Sequence, residues 1–119
     1  MKPRFLLDEH VNGAIQRQLR RLDSQIEVLA LGEPEAPPTG TLDPEILMWL
    51  ESHGYLLITA NRSTMPVHFT AHLEAGRHIP GIIWLRPGIS LDHIIEELYL
   101  IWEASAAEEY QDALLFIPL

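Results

Sequence analysis

Two carboxylates and an imidazole follow directly on an apolar stretch near the start of the chain. Residues 5–7 are Phe-Leu-Leu, and Asp8, Glu9 and His10 come next. Strands that are buried on both faces of a parallel sheet are continuously apolar, and ligands of such sheets bind beyond the carboxyl ends of the strands. Because Asp8 lies at such an end, we predict a polar functional site there.

Two later stretches carry polar residues at comparable positions. Asp43 and Glu45 open a predicted helix, and Asn61 follows the third predicted strand, at the same edge of the sheet as Asp8. Carboxylates gathered at the ends of parallel strands can hold Mg²⁺ or Mn²⁺, which prefer oxygen ligands. Such ions activate water and stabilise the charge that develops in phosphodiester cleavage. The candidate carboxylates are Asp8, Glu9, Asp43 and Glu45.

Each acid also has a purely structural interpretation. Asp8 fits a turn residue that caps the next helix. Asp43 precedes a proline and fits a helix N-cap, a role compatible with ligand binding. Glu45 fits the positive end of the helix dipole. Of the neighbours Asp8 and Glu9, only one is expected to face the site, because adjacent residues in an extended segment point opposite ways.

Histidine and arginine residues provide further candidates. His10 has the chemistry of a ligand or general base, but we expect an ordinary exposed side chain. His68 and His72 are four residues apart on one helical face, a spacing that can bind zinc or nickel. The pattern of a zinc protease is absent, so solvated or hydrogen-bonded side chains are expected there. Candidate phosphate contacts near the mouth of the site are Arg62, Ser63, Thr64 and Arg77.

The composition limits the class of protein. A chain of 119 residues with 47% hydrophobic and 21% charged residues fits one globular domain over residues 1–119. No apolar run approaches the roughly 18 residues of a membrane span, so we expect a soluble, cytoplasmic protein with no membrane contact. Without cysteine, any metal must use oxygen or histidine. The net charge of -9 counts against a protein that binds nucleic acid by itself. An acidic surface favours a basic partner, or simply keeps the protein soluble.

Hydrophobic periodicity predicts strands and helices in alternation. Predicted strands cover residues 4–7, 26–31, 55–59, 79–85 and 114–117, and predicted helices cover 11–22, 43–53, 65–75 and 91–102. A proline-rich loop covers 33–42. Strands joined by helices pair in parallel, and Pro118 indicates that the last strand lies at an edge. The predicted fold class is α/β, with a central, mainly parallel sheet of four to five strands flanked by helices.

Three segments together resemble a family of small prokaryotic PIN-like domains. They are Leu6-Leu7-Asp8-Glu9-His10, Leu42-Asp43-Pro44-Glu45-Ile46-Leu47 and Leu56-Leu57-Ile58-Thr59-Ala60-Asn61-Arg62. The later stretch from His78 to Leu85 fits the Pro-Gly-apolar strand of that family. The family is similar to the ribonuclease toxins of toxin–antitoxin pairs, and its members are described as predicted nucleases. The resemblance implies a three-layer PIN-like fold, with Asp8 and Asp43 as the first two acidic ligands and Glu9 and Glu45 as assisting neighbours.

The resemblance also implies acids after the third strand that this chain lacks. Asn61 and Ser63 stand where the family has aspartates, while Thr59 is retained. The carbonyl oxygen of Asn61 can still bind a metal, but it brings no charge, so the site is expected to bind Mg²⁺ or Mn²⁺ weakly.

Two functions follow as hypotheses. The first is a metal-dependent endoribonuclease that uses Asp8, Asp43 and Asn61 on an RNA substrate, with a small antitoxin-like protein as partner. The second is a PIN-like binding module without catalysis that acts through protein partners or as a homodimer. A phosphoacceptor receiver domain is set aside, because no aspartate ends the third strand and no lysine follows it.

Overall fold

The computed structural model describes residues 1–118, which form five strands and four α-helices in alternation. The strands are β1 (Phe5–Leu7), β2 (Val28–Ala30), β3 (Leu56–Thr59), β4 (Ile82–Leu85) and β5 (Leu114–Ile117). The helices are α1 (Ala14–Leu22), α2 (Asp43–His53), α3 (Met65–Glu74) and α4 (Leu91–Ala104), and a short 3₁₀ helix (Ala107–Tyr110) precedes β5. The predicted order of elements is therefore confirmed.

The five strands form a single parallel sheet in the order β2-β1-β3-β4-β5. This confirms the predicted α/β class, and β5 lies at an edge as expected. The chain steps from β1 to β2 on one side and then returns to place β3 on the other side of β1. The order thus reverses between β1 and β3, and such a reversal opens a crevice at the carboxyl ends of the two strands.

Alternate residues of each strand belong to two separate cores, one on each face of the sheet. Phe5 and Leu7 pack with α1 and α4, whereas Leu6 packs with α2 and α3. The same alternation runs through β3, where Ile58 lies in the first core and Leu57 in the second. Helices cover both faces of the sheet, and the fold has three layers. Residues 8 and 59 continue the alternation on the side of α2 and α3.

Strand β4 is shorter than the predicted strand at 79–85, because the backbone of Ile79 forms its hydrogen bonds with Asp112 and not with a neighbouring strand. Its N–H donates to the Asp112 carboxylate at 2.9 Å and its carbonyl accepts from the Asp112 N–H at 3.0 Å. Gly81 then has φ +145°, a conformation that L side chains rarely adopt, and β4 begins only at Ile82. The exchange of hydrogen bonds at Asp112 ties the entry of β4 to the entry of β5.

Local signals set several helix boundaries. Gly54 ends α2 in the left-handed conformation, and the Ser90 hydroxyl accepts from the His93 N–H at the start of α4. Helix α1 begins at Ala14, later than the predicted residue 11, and α4 continues to Ala104, beyond the predicted residue 102. The predicted N-cap role of Asp43 is wrong. Leu42 is the N-cap and Asp43 is the first helical residue, because its carboxylate is engaged by other side chains. None of the helices within residues 1–118 is long and apolar enough to cross a membrane.

We predict that Gly81→Ala destabilises the fold more than Gly88→Ala. Both glycines have positive φ, but a Cβ at Gly81 would lie 2.6 Å from the Tyr110 carbonyl oxygen, whereas nothing lies within 4 Å of one at Gly88. The crowding should cost about 1–3 kcal/mol beyond the backbone strain that both variants share. Urea unfolding of the two variants measures the difference. Equal losses of stability would contradict the packing assigned to Gly81.

Candidate functional site

A cleft of about 330 Å³ opens at the carboxyl ends of β1 and β3, where the strand order reverses. Its walls are formed by residues 8–11 from the end of β1 and residues 60–62 from the end of β3. The cleft therefore lies where ligands of doubly wound sheets bind, and the predicted Asp8 and Asn61 both line it.

Asp8 is buried at this edge, with only 4% of the residue exposed. One carboxylate oxygen accepts from the Glu9 backbone N–H at 2.9 Å. The other accepts from the Thr59 hydroxyl at 2.7 Å and from the Arg62 Nε–H at 2.6 Å. Because Asp8 and Thr59 extend neighbouring strands in register, their side chains meet on the same face of the sheet. The carboxylate is thus fixed by three donors.

Asp43 brings a second buried carboxylate to the same place from the first turn of α2, with 6% of the residue exposed. One oxygen accepts from Arg62 Nη1 at 2.6 Å, and the other accepts from the Thr64 hydroxyl. An acid in the first turn is also favoured by the helix dipole. His68, one turn into α3, has its Nε2 3.9 Å from this carboxylate.

Arg62 bridges the two buried acids. Its guanidinium contacts Asp8 through Nε and Asp43 through Nη1, and Nη2 lies 3.4 Å from the Glu9 carboxylate. Only 15% of its side chain is exposed. Burial opposes the charged form, but the hydrogen bonds to Asp8 and Asp43 outweigh this effect and raise the pKa of Arg62 above its ordinary value. Arg62 therefore stays positively charged at any physiological pH.

Of the other predicted site residues, only Glu9 contacts the Arg62 guanidinium within the described part of the chain. Glu9 is partly buried and also accepts from the Gly40 N–H at 3.2 Å. Asn61 is exposed in the wall of the cleft, and Glu45 is exposed on the first turn of α2. His10 is exposed too, with a left-handed φ of 73°, and its residue lines the cleft. The structure thus brings Asp8, Asp43 and Glu9 together and leaves Glu45 at the margin.

The oxygen atoms of this site have the chemistry that Mg²⁺ and Mn²⁺ prefer. Within residues 1–118, however, no group of three histidine or acidic side chains is arranged to hold a metal ion. The Arg62 guanidinium occupies the space between Asp8 and Asp43, so it acts as a stand-in cation. The carboxylate oxygens are therefore of the type that binds a divalent ion, but the Arg62 guanidinium occupies the position between them that such an ion would need.

The predicted histidine pair on α3 has separate partners. His72 is buried and its Nε2 lies 2.9 Å from the Glu51 carboxylate, whereas His68 is near Asp43. Arg77 also donates to Glu51, at 3.0 Å, and it is absent from the residues that line the cleft. These contacts link α2 to α3 and belong to the packing of the two helices.

A second cleft of about 410 Å³ continues from the first along the same edge of the sheet. The two clefts share His10, Val11, Ala60 and Asn61, and the second extends to the turn after β4, where Arg86 and Gly88 lie. Arg86 is exposed there, with its Nε donating to the Pro118 carbonyl at 2.7 Å and its guanidinium carbon 4.8 Å from the centre of the Phe116 ring.

Comparison of the chain with protein-family models, curated proteins and solved structures found no match. The resemblance to PIN-like domains consequently stays a prediction. The structure itself defines the class, a three-layer α/β fold with a fully parallel five-stranded sheet and an acidic cleft at the reversal of strand order.

The residue whose role the sequence did not indicate is Arg62. Its position near the site was predicted, but as a phosphate contact and not as the partner of Asp8 and Asp43. One feature of the sequence could have indicated this role: Arg62 is the arginine of the segment that follows β3, next to the predicted site residue Asn61. A single arginine at an edge of the sheet that also holds two buried acids is expected to form ion pairs with them.

We predict that Arg62→Gln lowers the free energy of unfolding by about 2–4 kcal/mol, because it leaves two buried carboxylates without their positive partner. Arg77→Gln removes the same charge from a more exposed pair and should cost less than about 1 kcal/mol. Chemical unfolding at neutral pH compares the two variants. A loss of stability at Arg62 no greater than at Arg77 would contradict the bridging role.

Proposed function

We propose that the chain is a PIN-like ribonuclease whose incomplete acidic site depends on a divalent metal ion, Mg²⁺ or Mn²⁺. The observation that supports this most is the convergence of Asp8 and Asp43 on one cation. Two acids 35 positions apart both bind the Arg62 guanidinium at 2.6 Å, Asp8 through Nε and Asp43 through Nη1, so both carboxylates face the same side chain. Buried carboxylates aimed at one point in a ligand crevice are suited to hold a hard metal ion.

Asp8 and Asp43 would hold the ion, with Glu9 and the carbonyl oxygen of Asn61 as further ligands and Glu45 as an outer acid. The ion would supply an activated water and neutralise the charge that develops on the phosphodiester. Thr59 and Thr64 act through their hydrogen bonds, which hold the Asp8 and Asp43 carboxylates in position. The chain thus provides fixed oxygen ligands, not a protein nucleophile.

The continuous cleft supports a polymeric substrate. The two clefts share part of their walls and together extend from Asp8 to Arg86, whose Nε donates to Pro118 and whose Nη atoms would contact a phosphate away from the cleaved bond. Since the net charge of -9 opposes broad contact with nucleic acid, binding of RNA would depend on these few local contacts. A small antitoxin-like partner is proposed from the resemblance, and a cytoplasmic location from the sequence composition; a homodimer belongs to the alternative function below.

We predict that the protein cleaves single-stranded RNA in the presence of Mn²⁺, and that Asp8→Asn or Asp43→Asn reduces the rate at least about 100-fold. Either change removes charge from the proposed metal ligands. Glu96→Gln, an exposed acid on α4, serves as the matched control and should leave the rate unchanged. Cleavage that is equal in all variants, or absent at every Mn²⁺ concentration, would refute the ribonuclease.

A second candidate function is a PIN-like binding module without catalysis. Two observations favour it: Arg62 already neutralises part of the acidic site, and the exposed Asn61 stands where the resemblance implies an acid. In this case the cleft would bind a partner, and the acids would have only a structural role. The number of negative charges at the carboxyl edge of the sheet distinguishes the two functions, because the charge of the ligands sets much of the affinity for Mg²⁺ and Mn²⁺.

We predict that the double variant Asn61→Asp, Ser63→Asp binds Mn²⁺ at least about tenfold more tightly than the natural chain, because it adds two carboxylates beside the site. The control Gln18→Glu, Ser24→Asp adds the same charge at exposed positions of the α1 region and should change the affinity little. Calorimetric titration gives both affinities. Tight Mn²⁺ binding by the natural chain would count against the binding module.

A further inference from the structure

We infer that Arg62 is a built-in competitor of the divalent cation, and that a metal ion enters the site only when the Arg62 side chain leaves it. The inference rests on the proposed metal site and adds a regulatory contact to it. The competing groups are defined by geometry, since the guanidinium contacts Asp8, Glu9 and Asp43 at once. These are three of the carboxylates that the metal would need.

The carboxylate oxygens of Asp8 and Asp43 already accept hydrogen bonds. One Asp8 oxygen is occupied by Arg62 and Thr59, and its other oxygen by the Glu9 N–H. Asp43 is similarly divided between Arg62 and Thr64. A divalent ion between Asp8 and Asp43 would lie within contact distance of the guanidinium, and the two positive charges would repel each other. Occupation of the site by one cation therefore excludes the other.

The position of Arg62 in the chain allows its side chain to leave. Arg62 lies in the segment between β3 and α3, and its neighbours Asn61 and Ser63 are exposed. The backbone carbonyl of Arg62 accepts from the Met65 N–H at 2.9 Å, so the main chain is held independently of the side chain. Rotation of the side chain toward the cleft breaks no hydrogen bond of the sheet.

Loss of a proton cannot release Arg62, because the guanidinium keeps its charge under all physiological conditions. The contact can be opened only by a competitor for the carboxylates or by an anion that attracts the guanidinium. The apparent metal affinity of the natural chain is then lowered by the energy of the arginine contacts. Removal of the guanidinium should raise that affinity.

The test measures Mn²⁺ affinity by calorimetry in the natural protein, Arg62→Gln and Arg77→Gln. Each variant removes one positive charge from an arginine paired with a carboxylate, but only Arg62 touches the site. We expect Arg62→Gln to bind Mn²⁺ at least about tenfold more tightly, since a like charge beside the ion is removed. Arg77→Gln should stay within about twofold of the natural protein. Mn²⁺ should also raise the melting temperature of Arg62→Gln more than that of the natural protein.

A second measurement uses the natural protein, so it does not depend on the stability of a variant. The arginine Nε–H signals are recorded by NMR during titration with Mg²⁺, and the Arg62 signal is assigned by its loss in Arg62→Gln. Displacement predicts that the Arg62 signal shifts and loses protection from solvent exchange, while the Arg77 signal remains unchanged.

The outcomes separate the inference from the function on which it rests. Equal Mn²⁺ affinity in the natural protein and Arg62→Gln, with an unchanged Arg62 signal under saturating Mg²⁺, overturns the competition and leaves the metal site intact. Absence of binding in both proteins overturns the metal site, and the competition with it. Tighter Mn²⁺ binding by Arg62→Gln, with no such gain in Arg77→Gln, supports both the metal site and the competition.

Discussion

Two nearly buried carboxylates at one edge of the sheet require a positive charge, and Arg62 provides it. Without that charge, Asp8 and Asp43 would each carry the desolvation penalty of an unpaired ion. Arg62 lies on the segment after β3, and its partners lie on two other segments, the end of β1 and the start of α2. The interaction therefore fixes the relative positions of the elements that form the cleft, and Thr59 and Thr64 complete the set of donors.

The topology explains why these segments meet at all. Because all five strands are parallel, β1 and β3 end at the same edge, and the strand order reverses between them. The alternation of side chains places Asp8 and Thr59 on the face of α2 and α3, which is the side where α2 begins. Apolar residues determine the sheet, and the sheet then determines which polar residues become neighbours.

The sequence alone predicts the frame of this arrangement but not its central contact. Continuous apolar strands, Gly54 and Ser90 are local signals, so the element order, the parallel sheet and the position of Asp8 were predictable. Arg62 contacts acids that are 54 and 19 residues away, and such pairing depends on tertiary packing and on side-chain conformations. The same reason explains the error at Asp43, whose carboxylate is used by Arg62 and Thr64 and not by the helix N-terminus.

The role of Arg62 is related to the uncharged residues on either side of it, Asn61 and Ser63. Aspartates at positions 61 and 63 would add two negative charges to an edge that already has Asp8, Glu9 and Asp43, and one guanidinium would no longer balance them. With Asn61 and Ser63, the three carboxylates are served by a single internal cation. An acidic edge of lower charge attracts both cations less strongly, but the loss is greater for a divalent ion than for the singly charged guanidinium. Under the proposed function, the site can act only if these carboxylates prefer a divalent ion from solution to the arginine that the chain carries.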